Sequence, residues 1–76
     1  MNRAYTVVGR ILGIAPEEIT DATSPKTVAS WDSYNGLMLV SALEQEFGVS
    51  FTLDEVIAVQ NVGDITAALT RHGIEV

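Results

Sequence analysis

This 76-residue sequence predicts an all-α fold: a bundle of four helices, the third of them short, with a long loop between the first two. Three observations support this. Apolar residues recur at three- and four-residue spacing in separate stretches of the chain. Glycines suited to ending a helix, Gly13, Gly48 and Gly73, follow the first, second and last of these stretches. The one β-like run, Val49-Ser50-Phe51, is too short to make a sheet by itself. Residues 1–76 read as a single small domain, near the lower limit for a core that folds without staples. No internal repeat or low-complexity tract interrupts it.

In the first helix, residues 3–13, Tyr5, Val8, Ile11 and Leu12 fall at helical spacing, and Arg3 and Arg10 point outward. Thr6, Val7 and Gly9 lower the propensity somewhat. Ile14 tucks inward after the helix, whose role is packing. Residues 15–30 hold both prolines and little periodicity. Pro16-Glu17-Glu18-Ile19 can form one turn, proline being suited to a first helical position. Ile19 and Val28 are expected to pin this loop to the core. A loop so long is uncommon in a compact domain and is usually functional.

The second helix, within Trp31–Gly48, organises the rest. Asp32 or Ser33 caps its start, because a short oxygen side chain accepts from an otherwise unpaired N–H there. Ser33 therefore lies at a helix N-terminus, where free donors and the macrodipole favour an anion. Gly36, Leu39, Val40, Leu43 and Phe47 share an uncharged arc about 100° wide, the core face. Tyr34, Met38 and Ser41 point the other way, with Leu37 at the border. Either the preceding loop covers Tyr34 and Met38, or they form a docking surface. Thr52 and Glu55 fit a capping box for a third helix over residues 53–58 that buries Val56 and Ile57. Asn61-Val62-Gly63-Asp64 opens the fourth helix, with Val62, Ile65, Ala68 and Leu69 on one face.

Composition narrows the function. Ten acidic residues against four basic ones, a formal net charge of −6, argue against nucleic acid, whose phosphates call for Lys and Arg. The acidity serves solubility or a basic partner. With no cysteine, disulfides and thiolate-held metals are excluded. No apolar run reaches membrane-span length and the first residues lack a signal-peptide arrangement, so a cytoplasmic monomer is expected. A serine nucleophile needs a base, yet the only histidine, His72, lies far along the chain and reads as a solvated residue at a helix C-terminus. Glu44 and Glu46 diverge on their helix, and phosphate loops and metal-ligand clusters are absent. The chain is expected to catalyse nothing unaided.

Asp32-Ser33, followed by Leu39, Val40 and Ala42-Leu43-Glu44-x-Glu46-Phe47-Gly48, resembles the core motif of the acyl carrier protein family. The resemblance implies a four-helix bundle of acyl-carrier type with no catalytic activity of its own. It implies that Ser33 carries 4′-phosphopantetheine, moved from coenzyme A by a phosphopantetheinyl transferase, whose thiol holds acyl groups as thioesters. Asp32 is then either the helix cap alone or also a contact for the transferase. Trp31 is expected to anchor the loop.

The family also makes the second helix the recognition surface for acyl-loading and acyl-processing enzymes with basic or apolar patches, here through Tyr34, Leu37, Met38, Ser41 and Glu44. Two departures bear on the partner set. Fatty-acid carriers often have an acid where this chain has Met38, and Tyr34 replaces the usual leucine. Trp-Asp-Ser looks more like free-standing carriers of specialised fatty-acid or polyketide-type pathways. An aminoacyl or D-alanyl carrier, or an unmodified helical interaction module, are the other readings.

Overall fold

The computed structural model describes residues 2–76. It forms α1 (Arg3–Leu12), α2 (Ser33–Phe47), α3 (Leu53–Ala58) and α4 (Val62–Arg71), with a 3₁₀ turn at Pro16–Glu18, and contains no strand among the described residues. Local chemistry sets the helix ends. Asn2, a cap the sequence reading did not identify, accepts from the amides of Ala4 and Tyr5 at 2.9 and 3.2 Å. Gly13, Gly48 and Gly73 adopt φ of 72°, 66° and 80°, a left-handed backbone that disfavours any side chain. The Thr52–Glu55 capping box is present, and Asn61 caps α4 by accepting from Asp64 N at 2.8 Å.

The helices meet over Val8, Leu39, Leu43, Val62 and Leu69, all fully buried. The predicted face of α4 is correct in all four positions: Val62, Ile65, Ala68 and Leu69 are buried. The buried arc of α1 is broader than predicted. Ala4 and Val7 join Val8 and Leu12 inside, because α1 packs against both α2 and α4. Tyr5 sits at the edge, its hydroxyl donating to the Asp21 carboxylate at 2.6 Å, and Ile11 is half-exposed. Gly9 is a close-approach glycine: a Cβ there would collide with the Ile14 carbonyl as the chain folds back after α1.

The loop between α1 and α2 is tied down at both ends and in its middle. Ile19 and Trp31 are buried and Val28 packs partly against the core, as expected. The Ser30 hydroxyl donates to the Leu12 carbonyl at 2.8 Å, joining the loop's end to the end of α1. Midway, the carbonyls of Asp21 and Thr23 accept from Gly63 N and Val62 N, both at 2.9 Å, satisfying first-turn donors of α4. The loop therefore reaches the start of α2 already fastened to α1 and to α4.

α3 departs from expectation. Val56 is only half-buried, Ile57 is 69% exposed, and no residue of this short helix is fully buried. His72 is not simply solvated: its Nε2 lies 2.9 and 3.1 Å from the two Glu55 carboxylate oxygens, and its ring meets Phe51 edge-on at 5.5 Å. A carboxylate can only accept, so Nε2 is the donor. The Thr52 amide first, and then His72, hold the Glu55 carboxyl below the ordinary glutamate range. A carboxyl depressed in the folded state stabilises fully above its unfolded value and loses that contribution as pH falls through the folded one. Thermal midpoints should therefore fall on the acid side, and less steeply in Glu55→Gln, which does not titrate there. Equal acid slopes for the two proteins would refute the assignment.

Candidate functional site

α2 begins as Asp32 Oδ1 accepts from Asn35 N at 2.8 Å while the Asp32 carbonyl accepts from Gly36 N at 2.8 Å. Of the two residues able to cap, Asp32 is the cap and Ser33 is the first helical residue. The Ser33 hydroxyl is therefore not needed to satisfy the helix, and Ser33 is exposed. The remaining first-turn donors, the amides of Ser33 and Tyr34, give this corner a partial positive charge. Asn35 Nδ2 donates to the Ser30 carbonyl at 2.7 Å, and the buried Trp31 lies beneath Gly36, 3.6 Å from where a Cβ would stand. The loop and the first turn of α2 are thereby locked together.

Ser33 stands at the lip of an apolar groove of about 460 Å³ that runs between α2, α3 and α4. Leu37, Leu39, Val40 and Leu43 line it from α2, Phe51, Val56 and Val59 from α3 and its flanks, and Ile65 and Ala68 from α4. Asp32, Ser33 and Glu55 are its polar lining, and the volume lies in the usual range of small-molecule sites. The sequence reading identified most of these residues as core but not the space between them, since spacing along one helix says nothing about the gap to the next.

The outer side of α2 is uncovered. Tyr34 and Leu37 are 70% and 66% exposed, Met38 is 41% exposed, and Ser41 is exposed beside them. The loop does not lie over Tyr34 or Met38, which removes the first of the two alternatives the spacing left open. On α3, Leu53 and Ile57 are also exposed, at 73% and 69%, which the sequence reading missed. Their four-residue spacing after the Thr52 cap was the available signal. Glu44 is half-buried, and its Oε2 accepts from Phe51 N at 2.9 Å, bracing the link into α3. Its chief visible role is thus internal. Glu46 lies on the opposite flank, beside Arg3 and Arg10 of α1. Among the described residues no cluster of three metal-ligating side chains occurs.

With this geometry in view, three comparisons are informative. A family model described as a phosphopantetheine attachment site matches residues 2–69. Proteins named acyl carrier protein from Rhodopseudomonas palustris (strain TIE-1), Nitrobacter winogradskyi and Bradyrhizobium sp. (strain ORS 278) are each 33% identical over 70 residues, covering 92% of this chain and 89% of theirs. A solved structure of a provisionally assigned acyl carrier protein from Mycobacterium tuberculosis superposes with a TM-score of 0.80 at 22% identity, covering 91% of this chain and 92% of that one. At that identity the likeness is one of fold.

Proposed function

The chain belongs to the acyl carrier proteins with a phosphopantetheine attachment site, carriers without catalytic activity of their own, and we propose that Ser33 is its attachment residue and an acyl chain its cargo. Domains of this family carry 4′-phosphopantetheine covalently, and that group supplies a thiol on a flexible arm, which holds acyl groups as thioesters. The observation that carries the proposal is an exposed hydroxyl at a helix N-terminus, on the lip of an apolar groove. The residues present fit the group. Ser33 leads into open solvent, its oxygen has no capping duty, and the first-turn amides and helix dipole favour a phosphodiester. Asp32 holds the turn with one carboxylate oxygen and can meet the modifying transferase with the other.

The groove favours acyl over aminoacyl cargo. Its lining rewards burial of a hydrocarbon, whereas a charged amino group would lose hydration there for little return. Intact-mass measurement after incubation with coenzyme A and a promiscuous phosphopantetheinyl transferase tests the attachment. A folded sample that gains no mass would overturn it in favour of an unmodified interaction module.

Partner recognition is proposed to run through Tyr34, Leu37, Met38 and Ser41, with Glu44 at the rim using the oxygen not bonded to Phe51. This surface carries no acid on the first three turns of α2, so partners with apolar patches fit it better than strongly basic ones. That suits a specialised fatty-acid or polyketide-type pathway. Met38→Glu should lower turnover by the native partner several-fold and leave helix content unchanged by circular dichroism, because the side chain is uncovered. Unchanged turnover would exclude Met38 from the contact.

A further inference from the structure

Of the three walls of the groove, α3 is the one least held by apolar packing. It is six residues long, buries none of them fully, and leaves Leu53 and Ile57 outside. A helix of this length has no stability of its own, so what fixes it must come from outside. Val56 and Val59 supply a partly buried edge. The segments flanking α3 are tied by Phe51 N to Glu44 and by Gln60 N to Asp64. Within the helix one side chain makes the attachment: Glu55 accepts from Thr52 N at 2.9 Å to close the helix start and from His72 Nε2 at 2.9 Å to bind the end of α4, with Arg71 at 3.7 Å. The Arg71 guanidinium is mostly exposed and adds little. Glu55 lines the groove, and Phe51, against which the His72 ring packs, lines it too.

We infer that the Glu55–His72 pair is a latch holding α3 in place as the outer wall of the groove, and that its release, rather than loosening of the α1–α2–α4 core, widens the groove for the apolar end of the cargo. The inference rests on the reading of the groove as the cargo's site. His72 is a positioning residue in this scheme: it does not line the groove and acts through Glu55. The core that does not face the groove, with Val8, Val62 and Leu69 fully buried, keeps its packing when α3 swings. Local opening at a cost well below global unfolding is the expected behaviour of so lightly packed an element.

Amide hydrogen exchange on the unmodified protein tests the latch. In His72→Ala the amides of Val56 and Val59, bonded within α3, should exchange about tenfold faster, in keeping with the loss of one hydrogen bond to a charged group. Amides in the middle of α2 should stay within about twofold. His72→Gln, whose amide can donate to Glu55, should restore much of the protection. A uniform rise across all helices in His72→Ala, or no rise in α3, would overturn the latch. Should His72→Ala fail to fold, His72→Phe, which keeps a ring against Phe51 but has no donor for Glu55, takes its place with the same local pattern required. Transfer of octanoyl-phosphopantetheine from octanoyl-coenzyme A onto the native chain separates the two ideas. Unmoved methyl resonances of Val40, Val59 and Ile65 would remove the groove reading and the gate with it. Moved methyls, with α3 exchanging alike in every variant, would remove the latch alone.

Discussion

Ser33→Ala is expected to fold like the native chain and to gain no mass with coenzyme A and a phosphopantetheinyl transferase. Both halves of the expectation come from the first turn of α2. Asp32, not Ser33, accepts from Asn35 N, so removing the Ser33 oxygen leaves no helix donor unsatisfied. The side chain is exposed, and alanine is the best helix former, so stability should move by no more than about 0.5 kcal/mol. Modification, by contrast, needs an oxygen at that position and is lost completely. Asp32→Ala is the complementary variant. It removes the cap at a cost of about 1 kcal/mol, keeps the hydroxyl, and should slow the mass gain without abolishing it. A mass gain in Ser33→Ala would place the attachment elsewhere and end the assignment. A gain in Asp32→Ala as fast as in the native chain would reduce Asp32 to a cap.

The parts of this molecule that could be read from sequence are those decided within one turn of a helix. Gly13, Gly48 and Gly73 end helices because only their own backbone conformation is at stake, and the Thr52–Glu55 box closes between residues three apart. The face of α4 was legible because a single stripe meets a single core. Where two surfaces compete the pattern blurs: α1 is wedged against α2 and α4, so Ala4 and Val7 are buried and Tyr5 is pushed to the edge. Ile57 was misassigned to the interior because periodicity cannot say how deep a short helix sits. What no local pattern contains is contact between distant residues. The Ser30 bond to Leu12, the Asp21 and Thr23 carbonyls on the start of α4, Glu44 on Phe51 N and Glu55 on His72 all join separate segments. The same holds for the site. Ser33 and the exposed Tyr34, Leu37 and Met38 follow from helix register, whereas the groove exists only between helices.

Leu43→Ala should destabilise the domain by about 2–5 kcal/mol, the range for buried leucine truncations. Leu43 is 1% exposed at the centre of α2, yet it also lines the groove. Leu69, equally buried, does not. The two truncations therefore leave different kinds of space. Leu69→Ala opens a closed void that neither water nor cargo can enter, so its cost belongs at the upper end of the range. Leu43→Ala enlarges a space already continuous with the outside. Either loss is a large share of the roughly 5–15 kcal/mol by which small domains are stable, and thermal midpoints will show it directly. Octanoyl loaded on Ser33 then discriminates between them. An apolar chain lying in the groove fills the volume vacated by Leu43 and should raise the midpoint of Leu43→Ala more than that of the native protein. It cannot reach the void at Leu69 and should raise that variant no more than the native one. Equal shifts in all three proteins would mean that the chain lies outside the groove, and the assignment of an acyl cargo would lose its structural basis.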